Sequence, residues 1–264
     1  MLVYKKNSFT RFNNIAQLFF NLKFIIQNLT FPRRCVLCAA RGQDDLDICI
    51  ACAGDLPYMK NACPSCGAIL PHEMAVEDTT KQCGACFGQN LPFQCVCAAF
   101  LYQNPIAQLL IDLKFNQKLL YAKVLGTLMA DYLEKRYSKE NKPQLIIPVP
   151  LHKKRLRERG YNQALELVRP IAKRLQIPID KYSCARVKLT AAQSLLPFNE
   201  RQSNVRQAFA IKKPLTVRYV AIIDDILTTG STVKELSQVL RNAGVTKIDV
   251  WCCAKTVAAG FSPR

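Results

Sequence analysis

Four cysteine pairs, each with two residues between the thiols, fall within 52 positions: Cys35/Cys38, Cys49/Cys52, Cys63/Cys66 and Cys83/Cys86. Two intervening residues let a tight turn aim both sulfurs at one ion, and two such turns supply the tetrahedral Cys₄ shell that Zn²⁺ prefers. Eight ligands imply two ions. Pairing sequential turns is the simplest assignment, with ten residues between the first two and sixteen between the last two; the spacing leaves open an interleaved arrangement with the first and third turns on one ion. Four thiolates leave no open coordination position, so such sites are structural and activate no water. Cys95 and Cys97, spaced for one face of a strand, read as core residues, as do Cys184, Cys252 and Cys253.

A second group of residues suits phosphate and sugar. Val220 to Ile223 is an apolar strand, followed by Asp224 and Asp225, then Ile226, Leu227 and the turn Thr228-Thr229-Gly230-Ser231-Thr232, which opens a helix. Backbone N–H groups at a helix start, with the hydroxyls of Thr228, Thr229, Ser231 and Thr232, form a cradle for a phosphate dianion, and Gly230 admits close approach. Adjacent carboxylates can accept hydrogen bonds from vicinal hydroxyls, so phosphate and diol together describe a ribose 5′-phosphate. Taken singly, the hydroxyl cluster reads equally well as a helix cap and the Asp pair as a solvated loop. Further back, Lys153, Lys154, Arg155, Arg157 and Arg159 put five cations into seven positions directly after Pro148-Val149-Pro150, a place where pyrophosphate would fit. A third stretch, Arg186 through Thr190 with Gln193, Leu195, Arg201 and Asn204, reads as a basic loop.

These residues need elements to position them, and the apolar rhythm supplies a set. Gln108–Phe115, Leu119–Leu133, the stretch from Ala164 to Leu175 and that from Val233 to Ala243 have helical spacing; 145–147, 220–223 and 248–254 read as buried strands. Strands alternating with such helices predict a mostly parallel sheet with helices on both faces, whose ligands sit beyond the carboxyl ends of the strands. The 264 residues, half of them apolar and 21% charged, suffice for a full core and a smaller module, and exclude a disordered chain. The formal charge of +18 is uneven: residues 1–34 carry +6, residues 35–100 carry −4 with ten of the 13 cysteines, and residues 101–264 carry +16. Two filled zinc sites would lower the total by four, to +14. No stretch is apolar enough to span a membrane. Residues 1–31 read as a basic amphipathic helix, a poor fit to a secretory signal, so a cytoplasmic location is expected, with peripheral contact at the inner membrane left open.

The order of apolar run, Asp-Asp and Thr-Thr-Gly-Ser-Thr resembles the phosphoribosyl pyrophosphate signature of type I phosphoribosyltransferases. That resemblance implies Asp224 and Asp225 on the ribose and Thr228 to Thr232 around the 5′-phosphate. The whole series resembles the competence protein F (ComF) family: knuckled cysteines, Leu113-Lys114-Phe115 at a helix end, Pro-Val-Pro, Arg-Glu-Arg-Gly-Tyr-Asn-Gln at 157–163, the basic stretch from Arg186 to Asn204, and the phosphoribosyl motif. It implies a double zinc ribbon over 32–93, after the helix over 1–31, and a type I phosphoribosyltransferase-like domain over 94–264. It further implies a role in natural transformation, DNA uptake or DNA utilisation, with phosphoribosyl pyrophosphate, Mg²⁺ and single-stranded DNA as ligands. Partners from the competence machinery, such as a DNA translocase or recombination mediator, are expected as well.

Whether the chain is also an active phosphoribosyltransferase is left open, because the Cys-rich module occupies the place of a base-binding hood and recommends no acceptor. For catalysis, Arg155, Arg157 or Arg159 with Mg²⁺ would meet the charge developing on pyrophosphate while Asp224 and Asp225 orient the ribose; Lys154 and Arg201 complete the expected basic loop. The competing class is a DNA-binding protein that keeps the site as a sensor or relic, with Tyr161, Phe198 and Phe209 as stacking candidates that more often serve the core.

Overall fold

A computed structural model describes residues 32–43, 45–70, 82–189 and 205–257. The expected helix over 1–31, and Arg201 with Thr190, Gln193, Leu195, Phe198 and Asn204, lie outside the described residues. The chain divides into two compact units, Met1–Asp55 and Leu56–Arg264.

In the first unit, the turns bearing Cys35/Cys38 and Cys49/Cys52 face each other, and the single helical turn α1 (Ile50–Gly54) starts on Cys49, whose sulfur accepts from the Cys52 N–H at 3.4 Å. The second unit opens with an extended stretch and the turn bearing Cys63/Cys66. It then alternates: β1 (Cys95–Leu101), α2 (Ile106–Phe115), α3 (Leu119–Glu134), β2 (Leu145–Pro148), α4 (Lys153–Arg159), α5 (Gln163–Leu175), β3 (Cys184–Arg186), β4 (Phe209–Ile211), β5 (Tyr219–Leu227), α6 (Ser231–Asn242) and β6 (Lys247–Lys255).

Four strands form a parallel sheet in the order β1-β6-β5-β2. Near-continuous apolar runs at β5 and β6 are what a parallel sheet covered on both faces requires, and β6 is buried from Ile248 to Ala254. α3 and α5 pack on one another and against the sheet, while α6 packs against β5 and β4. The expected strands and helices form, most of them starting one or two residues earlier than the apolar spacing indicates, as α2 does at Ile106 and α6 at Ser231; β5 also runs on through Asp224 and Asp225 to Leu227, because Asp224 and Ile226 still pair with Cys252 and Ala254 of β6.

β1 would be an exposed edge, a hazard folded proteins avoid by covering it. Here Met59 N–H donates to the Ala99 carbonyl (2.9 Å), Leu101 N–H to Pro57 (2.8 Å) and Val96 N–H to Pro64 (2.7 Å). The stretch leading into the second cysteine cluster therefore serves as the cover of β1. Cys97, Cys252 and Cys253 are buried, as expected of core thiols; Cys95 and Cys97 both lie near the Tyr137 hydroxyl, which donates to Asp249 at 2.8 Å.

A short antiparallel pair, β3 with β4, lies beyond β2. The basic stretch starting at Arg186 thus leaves from a strand end, since Arg186 pairs with Phe209 and forms a bridge with His152.

Candidate functional site

The eight cysteines of the pairs gather into two clusters, Cys35/Cys38/Cys49/Cys52 and Cys63/Cys66/Cys83/Cys86, in each of which all four sulfurs lie within 4.8 Å of one another. This is the sequential pairing; the interleaved alternative is excluded. Zn–S bonds of about 2.3 Å in a tetrahedron put sulfurs about 3.8 Å apart. Cys38 and Cys49 are 3.7 Å apart and Cys66 and Cys83 3.6 Å, far beyond a disulfide bond of about 2.05 Å.

Backbone N–H groups point at the sulfurs, from Ala68 to Cys66 at 3.4 Å and from Cys83 to Cys63 at 3.3 Å, as suits thiolate ligands. Local surroundings set the acidity of individual thiols. Burial raises Cys35, but N–H donors at Cys49, Cys38 and Leu37 outweigh it and bring the thiol down to about 6, while burial pushes Cys66 up to about 11. Four thiolates coexist only around a cation, and both clusters fit Zn²⁺.

At the carboxyl ends of the adjacent strands β2 and β5 the structure brings together most of the other sequence candidates. Asp224 and Asp225 lie within β5, and burial, followed by the neighbouring Asp225 carboxylate, pushes Asp224 up to about 8. Asp225 is 9% exposed and meets a cation: Lys114 Nζ is 2.6 Å from its Oδ2. Gly230 then takes a left-handed conformation (φ 76°) at the cap of α6, a shape that favours glycine. Thr229 Oγ1 and Ser231 Oγ are 2.7 Å apart, and the Ser231 N–H donates to Thr229 Oγ1 at 3.3 Å. Ser231 and Thr232 are buried at the first turn of the helix, with the positive end of its dipole toward the turn.

α4 sorts its five cations by helical spacing. Arg155 and Arg159, four residues apart, are the half-buried pair, whereas Lys153, Lys154 and Arg157 are exposed. His152 Nδ1 accepts from the Lys154 N–H and caps this helix. Burial works against the charges of Arg159 and Arg186; Asp225 offsets it for the first and Asp224 for the second, and Arg155 repels both. Three guanidinium groups and Lys114 therefore share the surroundings of two carboxylates.

Lys114 and Arg186 were absent from the expected binding set. The first could have been found from its helix-end position in Leu113-Lys114-Phe115, whereas no sequence signal marks Arg186 as a neighbour of Asp224.

The segment 157–163 proves largely to be scaffolding for this edge. Gly160 ends α4, the Tyr161 hydroxyl donates to the Leu113 carbonyl beside Lys114, and Asn162 caps α5 while its Nδ2 donates to Val149 at 3.0 Å. Gln163 Oε1 accepts from Arg159 at 2.7 Å, and the Arg159 guanidinium lies 5.7 Å from the Phe115 ring centre. Of the stacking candidates, Tyr161 is tied by its hydroxyl and Phe209 is buried with Arg186 over its ring. Among the described residues, exposed aromatics in basic surroundings are instead Phe115, 67% exposed under Arg159, and Tyr182, 64% exposed, with Lys181 Nζ and Lys213 Nζ 5.0 and 5.6 Å from its ring centre.

A model of the "Double zinc ribbon domain" matches residues 26–87. The chain is 32% identical to the DNA utilization protein YhgH of Escherichia coli (strain K12) over 236 residues, 87% of this chain and 100% of that protein. It is 33% identical to Competence protein F of Haemophilus influenzae over 228 residues, 78% of this chain and 96% of that one. Among solved structures, a purine phosphoribosyltransferase from Pyrococcus horikoshii aligns over 54% of this chain and 78% of its own at 18% identity and a TM-score of 0.30. A hypoxanthine phosphoribosyltransferase from Staphylococcus aureus aligns over 48% and 61% at 18% identity and a TM-score of 0.31. Scores that low leave the chemistry of the edge to be argued from its own residues. Among the described residues, no helix is long and apolar enough to cross a membrane.

Two outcomes are expected from this geometry. Metal analysis of the purified full chain should give about two zinc ions, falling to about one in a Cys38→Ser/Cys49→Ser variant, with release on acidification as the thiolates protonate. Asp224, raised from the ordinary carboxylate range to about 8, contributes stability that is full below about pH 4 and lost as pH rises through about 8. Urea unfolding should therefore show Asp224→Asn gaining on the wild type as pH goes from 5 to 9; a constant difference between the two would contradict the shift.

Proposed function

Because the chain belongs to the family of competence protein F and the DNA utilization proteins, we propose that it acts in the uptake or use of DNA and binds phosphoribosyl pyrophosphate at the carboxyl ends of β2 and β5. The observation that carries the ligand reading is the joint placement of a carboxylate pair, a hydroxyl-lined helix start and a cationic cluster at one sheet edge. Asp224 and Asp225 accept from the ribose hydroxyls, the turn from Thr228 to Thr232 holds the 5′-phosphate, and Arg155, Arg159 and Arg186 face the pyrophosphate. Mg²⁺ accompanies the pyrophosphate, with Asp224 and Asp225 as the oxygen donors of the strand end. Lys154 and Arg157, on the exposed side of α4, add to the field that draws a polyanion in.

A transferase reaction is favoured by one specific feature, the three guanidinium groups beside the carboxylates, since they would stabilise pyrophosphate as it leaves C1 of the sugar. The two Cys₄ clusters would supply rigidity, with no open position for chemistry.

Single-stranded DNA is the second ligand of this reading. Segments 180–189 and 209–214 carry five basic residues (Lys181, Arg186, Lys188, Lys212, Lys213) against Asp180, and Tyr182 offers an exposed ring among them. Phosphates reward such cations and bases stack on such a ring.

Calorimetric titration of the zinc-loaded chain with phosphoribosyl pyrophosphate and Mg²⁺ should show saturable binding that a folded Asp224→Asn/Asp225→Asn variant loses; a wild type that binds nothing would sink the ligand reading. In fluorescence anisotropy, affinity for a labelled oligothymidylate should fall steeply with salt. Tyr182→Ala should weaken it by about 1 kcal/mol or more, roughly fivefold or greater. Affinity unchanged across tenfold salt would rule out the DNA surface.

A further inference from the structure

Lys255, the last residue of β6, belongs to no motif singled out in the sequence, yet its side chain joins two sites. Its Nζ donates to the Thr228 carbonyl at 2.7 Å, at the start of the hydroxyl-lined turn. Its stem runs past the second cysteine cluster: a Cβ on Gly67, the residue after Cys66, would lie 3.7 Å from Lys255 Cδ. Gly67 has a left-handed backbone (φ 70°), and the same Cβ would come within 2.9 Å of Val96 Cγ1, so the cysteine turn is seated against β1 with no room to spare.

The backbone of Lys255 is equally constrained. It pairs with Leu101 of β1 and Leu227 of β5, its carbonyl accepts from the Tyr102 N–H at 2.8 Å, and the following Thr256 N–H donates to Leu227 at 3.1 Å. The ammonium is half-buried, and burial disfavours its charge more than the sulfurs of Cys252 and then Cys66 favour it. A Zn²⁺ ion in four thiolates would carry two net negative charges and would fix the turn that packs on the Lys255 stem at Gly67.

We propose that Lys255 is a positioning residue through which metal in the Cys63/Cys66/Cys83/Cys86 cluster holds the Thr228–Thr232 turn, so that affinity for a ribose 5′-phosphate depends on that cluster being filled. The proposal rests on the reading that this turn takes the 5′-phosphate, and it gives the second zinc ribbon a task beyond covering β1. The side chain spans the distance with one hydrogen bond at the Thr228 carbonyl and one packing contact of its stem beside Gly67 in the cysteine turn. Loss of either end frees the other.

The test compares the full-length, zinc-loaded wild type with Lys255→Met and Lys255→Arg, after metal analysis of each. Hydrogen–deuterium exchange over 226–234 is read without ligand, and phosphoribosyl pyrophosphate with Mg²⁺ is then titrated. Lys255→Met should keep both ions, exchange the turn roughly tenfold faster and bind the ligand roughly tenfold more weakly, with Lys255→Arg restoring most of both. In a Cys83→Ser/Cys86→Ser variant that retains one ion, the turn should loosen likewise, and adding Lys255→Met should loosen it no further. If that variant does not fold, the Lys255 variants still decide. A Lys255→Met turn that exchanges at the wild-type rate with both ions present would overturn the proposal. Absence of ligand binding by the wild type would instead remove the ribose-phosphate reading and the affinity half of the proposal, while the exchange data still judge the strut.

Discussion

Two carboxylates that follow one another at the end of a buried strand cannot both hold full charge without cations beside them, and the edge at the carboxyl ends of β2 and β5 is organised around that constraint. Asp224 and Asp225 lie where β5 still pairs with β6, so neither can turn away without breaking the strand. The response is spatial recruitment. Lys114 arrives from the end of α2, Arg159 from the end of α4 and Arg186 from the end of β3, three elements far apart in sequence that end at the same place. The hydrogen bonds of Tyr161, Asn162 and Gln163 make sense as the means of fixing those ends, because a cation displaced by an ångström or two loses much of its effect on a buried charge. Electrostatics at the edge and the local geometry of 157–163 are one problem with one solution.

A second constraint comes from the sheet. β1 is an edge strand of seven residues, and its outer backbone groups are met by Pro57, Met59 and Pro64. The segment doing this leads into the Cys63/Cys66 turn, so the second cysteine cluster is part of how the sheet is finished, in the same compact unit as β1 through β6. A cluster held by metal is a rigid cover; the same loop without its cross-link would pay a far larger entropy of ordering. The first cluster lies in the other unit.

Much of this was legible in the residues. The cysteine spacing foretold two four-sulfur sites, and the apolar rhythm placed the main strands and helices, because both signals are local: a knuckle needs two intervening residues and a buried strand needs an apolar run. The Asp-Asp and Thr-Thr-Gly-Ser-Thr segment was legible for the same reason. What escaped was long-range. Sequence reading puts four cations of α4, Lys154, Arg155, Arg157 and Arg159, in one basic loop with Arg201, but only helical phase turns Arg155 and Arg159 inward and leaves Lys154 and Arg157 in solvent. The part of Lys255 depended on a strand register that joins residues 101, 227 and 255. Tyr182 was passed over because nothing about a tyrosine between a lysine and a serine announces exposure, whereas Phe209 and Tyr161, which looked suitable, are held by the core and by a hydrogen bond.

The balance of charge at the edge bears on the proposed ligand. Lys114, Arg155, Arg159 and Arg186 bring four positive charges to a place where Asp224 and Asp225 supply at most two negative ones, and the shift of Asp224 to about 8 reduces that at neutral pH. An edge built only for stability would have paired its charges or done without them, since replacing buried ion pairs by apolar groups is often neutral or favourable. Cations of which Arg159 and Arg186 have their charge disfavoured by burial, next to carboxylates and a helix start, are the residues a multiply charged phosphate ester with free hydroxyls would stabilise. The same ligand would let Asp224 ionise, because its phosphates bring Mg²⁺ and its hydroxyls donate to the carboxylates. On that proposal, binding and ionisation of the pair would be linked, and a ligand that carries both chemistries would be favoured.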